Sequence, residues 1–155
     1  MLKILLPLAQ KYGHLPVRTR VADSLLLSLR HDKRHLLSKI GWKFFYSLLS
    51  LLAAAKARRA GLPTADKTVG LMQSGHLTEE YLVDVIEHAT RSNRWQRVRV
   101  IEIYCHPSLV LESPRFGPNP GDLVAVTGPK LREVLAARQV GLANYRQLQE
   151  QGWLT

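Results

Sequence analysis

An imidazole set at the end of an apolar, β-branched run is the arrangement in this chain best suited to chemistry. Val98, Val100, Ile101 and Ile103 form a strand-like segment that continues through Cys105 to His106 and Pro107. The strand period of two puts Glu102, Tyr104 and His106 on one face and Ile101, Ile103 and Cys105 on the other. Pro107 has no N–H for a ladder, so the strand is expected to stop there and leave His106 at its mouth. Parallel α/β proteins keep their chemistry at such C-terminal strand ends. A site histidine at the strand's mouth is one reading of His106, and a capped strand end with a satisfied imidazole is the other.

The remaining histidines do not combine with it in sequence. His31 and His35 are four apart, which on a helix puts them on one face, but Arg30, Lys33 and Arg34 surround them and would repel a divalent cation. No glutamate stands between them as in a zinc-protease motif, so the pair is expected to lie on a solvated basic face. His14 and His88 read as surface residues. His76 follows a candidate strand and is read first as a surface loop residue, second as a site residue. Cys105 is the one cysteine, which excludes an internal disulfide and a thiolate zinc site within the chain. No phosphate loop, nucleophile elbow or Cys-x-x-Cys motif occurs, and no metal site is expected.

The elements that must position these residues alternate along the chain. Helical spacing of Leu2, Leu5, Leu6 and Ala9 predicts a helix that stops at Gly13, and residues 17–21 alternate like a strand. A long helix is expected over residues 32–60, ended by Gly61 and Pro63. Residues 68–71 form a short strand candidate. Thr78 is a helix N-cap, followed by Glu79 and Glu80, with Tyr81, Leu82, Val85, Ile86 and Ala89 as the inner face. After the strand at 98–105, residues 114–121 read as a loop rich in proline and glycine. Pro129 opens a helix carrying Leu131, Val134, Leu135 and Ala136; residues 140–143 are expected as a last strand and 145–151 as a closing helix. Strands separated by helices imply an α/β fold with parallel β-strands.

At 155 residues, 46% of them apolar and 22% charged, the chain has room for one core. Lys and Arg outnumber Asp and Glu by 22 to 12, a formal charge of +10, so an anionic partner has to be considered. The basic stretch 30–61 interleaves Trp42, Phe44, Phe45 and Tyr46 with its charges. A helix there would either lie at an anionic membrane surface or be buried with its cationic ends reaching water. No nucleic-acid-binding motif accompanies the charge, and no specific nucleic acid is expected. The longest uncharged apolar stretch, 44–55, falls short of the ~20 residues of a spanning helix.

The pieces in order resemble a known family. Gly70-Leu71-Met72-Gln73-Ser74-Gly75 with Leu77-Thr78-Glu79-Glu80, then Ile101-Glu102-Ile103-Tyr104-Cys105-His106-Pro107, then Val140-Gly141-Leu142 with Asn144-Tyr145-Arg146-Gln147-Leu148, are similar to the C-terminal half of the YdjC-like carbohydrate deacetylases. The hopanoid-biosynthesis-associated deacetylases are the nearest branch in this resemblance. Leu8-Ala9-Gln10-Lys11-Tyr12-Gly13 and the segment with Val17-Arg18 extend it, and the Glu-x-x-x-His-Pro piece is its most specific part.

The resemblance implies the C-terminal half of a TIM-like (β/α) barrel, a single partial domain over residues 1–155. It implies a metal-dependent enzyme, using Mg or Zn, that removes the acetyl group from an N-acetyl amino-sugar conjugate such as a hopanoid glycolipid. His106 falls on the family's catalytic histidine, Arg18 on a basic residue that orients a catalytic or substrate group, and Glu102 on a carboxylate that positions the site or pairs with Arg18. The family's Asp-Asp pair and its His-x-His-x-x-His-Pro segment have no counterpart in this sequence. The expectation is therefore a fragment or remnant with no cofactor of its own, inactive alone, completed by a missing N-terminal half or by a second copy. Its expected setting is cytoplasmic, with peripheral membrane contact. The rival expectation is a non-catalytic basic α/β protein that docks on an anionic membrane surface or partner.

Overall fold

The structure is a computed structural model that describes residues 2–19, 21–31, 36–73, 75–109 and 119–154. It is a mixed α/β fold, mostly helical, with a small parallel sheet. Helix α1 (Leu2–Lys11) runs into a turn at Gly13, whose φ of +91° is open to glycine. α2 (Leu25–His31) and α3 (Leu36–Arg59) follow, and Gly61 at φ +67° ends the second. Strand β1 (Lys67–Val69) pairs in parallel with β2 (Ile101–Ile103), with Thr68 opposite Glu102. Between them lies α4 (Glu79–Arg91), capped by Thr78, whose hydroxyl accepts from the Tyr81 N–H. α5 (Pro120–Thr127), α6 (Pro129–Ala137) and α7 (Tyr145–Glu150) complete the chain.

One core lies between the sheet and its covering helices. Val69 meets Leu77, Tyr81, Leu82, Val85 and Ile86 of the α4 region, Ala125 of α5 and Leu131 and Leu135 of α6. Ile101 and Ile103 of β2, and Cys105 just beyond it, pack against it, as the alternation in the sequence predicts. A smaller cluster joins α1 to the end of α3 through Ala9, Val17, Ala57 and Leu62.

Several expected elements are shorter or different. The expected strand 98–105 narrows to Ile101–Ile103, because the Asp66 carboxylate takes the N–H groups of Arg99 and Val100 at 2.8 and 3.0 Å. Ile101 and Ile103 are half-buried, so the strand is not a fully buried one. The expected strand 17–21 reduces to one parallel bridge between Val21 and Thr68, since the Val17 N–H bonds the Pro63 carbonyl in a loop; Arg20 lies outside the described residues. Residues 140–143 form no strand. The Val140 N–H returns to the Leu135 carbonyl at the end of α6, and the segment instead borders an apolar cavity of about 410 Å³.

The helix expected over 32–60 begins at Leu36 in the described chain, with 32–35 outside it, and α2 was not foreseen. Residues 114–118 of the expected loop are likewise outside, while Pro120 and Gly121 start a helix, with proline at its first position where a missing N–H costs nothing. Ala136 is exposed and takes no part in the inner face of α6.

Candidate functional site

The parallel register fixes one face of the sheet as polar. Thr68 on β1 and Glu102 on β2 are opposite one another, and the Thr68 hydroxyl donates to Glu102 Oε2 at 3.1 Å. Arg18 reaches the same carboxylate from the extended segment before the Val21 bridge. Its Nε donates to Glu102 Oε1 at 2.6 Å, and one terminal nitrogen contacts the same oxygen. The bond to Glu102 holds the guanidinium pKa above its ordinary value, against the opposing effect of burial. Tyr145 of α7 adds a buried hydroxyl beside Glu102. Burial first, and then that carboxylate, push its phenol above the usual tyrosine value.

Two residues along the same face the chain turns outward. The Arg18 guanidinium carbon lies 4.8 Å from the centre of the Tyr104 ring, a cation–π contact. The Tyr104 hydroxyl is 2.7 Å from His106 Nε2, and the two rings meet edge to face at 4.7 Å. Glu102, Arg18, Tyr104 and His106 thus form one continuous polar line from inside the sheet to its C-terminal edge. His106 itself is exposed at that edge. A tyrosine hydroxyl on one ring nitrogen fixes the imidazole's orientation, which is the prerequisite for proton transfer to a bound group.

The backbone around His106 is tied by a residue that the sequence did not single out. Asp122, in the first turn of α5, is 1% exposed. Its two oxygens accept from the His106 N–H at 3.0 Å and the Leu77 N–H at 3.1 Å, joining the loops that follow β2 and β1. Asp23 plays the matching part after the Val21 bridge, accepting from the Gly70 N–H at 2.6 Å, the Tyr81 hydroxyl at 3.1 Å and the Met72 N–H at 3.2 Å. Burial holds the Asp23 carboxyl above its ordinary value, while those donors pull the other way. Gly70 is held at φ +97°, and a Cβ there would come to 2.5 Å from the Tyr104 carbonyl oxygen. Only glycine lets the two strand ends approach so closely.

Of the residues expected at the site, Arg18, Glu102 and His106 therefore share one face, Arg18 and Glu102 in direct contact and His106 linked through Tyr104. His31 is not on a solvated basic face. It is half-buried, 2.8 Å from Asp84 Oδ2 and edge-on to Tyr81, with Arg30 on the same carboxylate. His35 is outside the described residues. His76 is exposed, its N–H bonded to the Gln73 carbonyl, and His14 and His88 are exposed too. Proline followed by glycine and aspartate at 120–122 is a helix-start signal that could have found Asp122; nothing in the sequence marks Tyr145 as facing Glu102.

The family model described as YdjC-like protein matches residues 1–137, a stretch that includes every residue of the polar line. No curated protein and no solved structure matches the chain.

Proposed function

We propose that this chain, which belongs to the YdjC-like protein family, supplies the proton-transferring and substrate-orienting part of a carbohydrate deacetylase site. The family's function is of carbohydrate deacetylase type. The observation that carries the reading is His106, exposed at the C-terminal edge of the sheet with its Nε2 2.7 Å from the Tyr104 hydroxyl. In this reading the substrate is an N-acetyl amino-sugar conjugate, and a lipid-linked one, a hopanoid glycolipid, is the form implied by the resemblance.

Hydrolysis of the acetamide adds a water oxygen to the acetyl carbon, moves a proton to the amide nitrogen and breaks the C–N bond, releasing acetate and the free amine. His106 carries that proton. Tyr104 keeps the imidazole in place, and Arg18, stacked on Tyr104 and bonded to Glu102, keeps the tyrosine in place in turn. The Glu102 charge is balanced by Arg18, so the carboxylate orients and does not act as a base.

The family is generally metal-dependent. Among the described residues no three His, Cys, Asp or Glu side chains converge to hold a metal ion. Glu102 is bonded through both oxygens to Arg18 and Thr68, and one nitrogen of His106 is engaged by Tyr104. The residues present do not fit a metal, and no step is assigned to one. In this reading the ligand set lies outside the described residues, contributed by a further polypeptide segment.

The test is to add the ligand-bearing half of a family deacetylase, fused or as a separate chain, and to follow acetate release from an N-acetylglucosaminyl lipid. His106→Ala should lower turnover by roughly 100-fold or more, the scale of a positioned acid or base, with bound metal unchanged. Equal turnover with alanine at that position would return His106 to a structural strand end.

A further inference from the structure

Helix α3 is packed with its small side chains inward and its large apolar ones outward. Among its described side chains Ser50, Ala54 and Ala57 are the buried ones, with Ser50 Oγ accepting from the Val21 N–H. On the outer side Leu37, Phe44, Leu48 and Leu51 recur at helical spacing and are 85, 75, 61 and 70% exposed, and Phe45 and Leu52 widen the stripe. A surface helix normally shows the reverse order. The stripe ends in Lys56, Arg58 and Arg59, all exposed, on a chain of formal charge +10.

We propose that the outer face of α3 is a docking surface for an anionic lipid bilayer. A contiguous exposed apolar patch marks an interaction site, and the charge beside it selects the occupant. A second copy of the chain would bring a like charge of +10 against it, whereas anionic headgroups complement the Lys56, Arg58 and Arg59 cluster. The helix would lie in the membrane plane with Phe44, Leu48 and Leu51 below the headgroups. Among the described residues no helix is long and apolar enough to cross a membrane, so contact is from one side. This inference stands on α3 alone and does not depend on the deacetylase reading.

The experiment is co-sedimentation of the whole chain with phosphatidylcholine vesicles, with and without phosphatidylglycerol, at low and high salt. Binding should require the anionic lipid and fall as salt rises. Lys56→Gln, Arg58→Gln and Arg59→Gln together should weaken it about 100-fold, since each cation near such a surface adds a comparable increment. Phe44→Ser, Leu48→Ser and Leu51→Ser together should abolish it while leaving the circular-dichroism melt in place. Should that second variant fail to fold, the charge variant and the salt series decide. Equal binding to both vesicle types, binding to neither, or binding of duplex DNA that matches the vesicles in strength and salt sensitivity would overturn the proposal. So would a dimer in sedimentation velocity that the serine variant makes monomeric, because a second copy would then be the occupant.

Discussion

Arg18 and Glu102, separated by 84 residues in the chain, meet across the sheet as an ion pair in which the cation is half-exposed and the carboxylate is 10% exposed. The asymmetry sets the consequences. Glu102 has given up most of its water and holds Arg18 and Thr68 in exchange, while Arg18 keeps part of its hydration. The pair therefore matters less as a source of net stability than as a fixed support for Tyr104, on whose ring the guanidinium rests.

Breaking the pair from its two sides should cost different amounts. Arg18→Met leaves a largely buried carboxylate without its cation and should destabilise the fold by about 1–3 kcal/mol. Glu102→Gln removes the charge that needs compensation and should cost less. Urea melts of both single variants and the double should show a coupling of about 1 kcal/mol, since the exposed half of the pair is screened by water. Additive effects would mean that the contact contributes nothing beyond its separate parts.

A second prediction concerns pH. Burial raises the Asp23 carboxyl above the ordinary aspartate value of 3.8, so the folded chain holds this proton more tightly than the unfolded one. As pH rises from that value, the unfolded state releases the proton first, and stability falls until the raised folded value is passed. Carboxylates with lowered values would give the opposite slope. Asp23→Asn should remove this contribution, so that the difference in unfolding free energy between native and variant chains changes with pH above 3.8 and levels off once the raised folded value is passed. Two curves that stay parallel from pH 3.8 upward would show that Asp23 titrates alike in both states.

Face assignments were legible in the sequence, and strand lengths were not. The period of two correctly separated Glu102, Tyr104 and His106 from Ile101, Ile103 and Cys105, because side-chain alternation is a property of the backbone itself. How far the ladder extends depends on which groups take its donors. A single remote carboxylate, Asp66, takes the Arg99 and Val100 N–H donors, and a loop carbonyl takes that of Val17. The same holds for the site. Arg18 and Glu102 could be named from the resemblance, but Asp23, Asp122 and Tyr145 act through contacts spanning 16 to 58 residues that join segments with no shared local pattern. The inverted burial of α3 was equally hidden, since its apolar residues spread around the cylinder and only the packed neighbours decide which side faces out.

Asp122 offers the sharpest separation of placement from chemistry. It touches neither the imidazole nor any charged group of the polar line; it holds the His106 and Leu77 backbone N–H groups from inside the fold. Asp122→Ala leaves both donors without their acceptor and should destabilise the chain by about 2 kcal/mol or more, since each unsatisfied buried donor costs about 1–3 kcal/mol. The strand-end loop would loosen, and the distance from His106 Nε2 to the Tyr104 hydroxyl would no longer be fixed. Asp122→Asn retains one acceptor oxygen and should recover part of the stability. In the reconstituted deacetylase, both variants should lower kcat more than they raise KM, because the substrate's other contacts persist while the proton carrier is misplaced. The imidazole proton resonances of His106 supply the second readout: they should broaden in Asp122→Ala and sharpen again in Asp122→Asn. A variant that melts early yet keeps a sharp His106 signal and full kcat would confine Asp122 to stability and leave the loop positioned by Pro107 and its bridge to Asn119 alone.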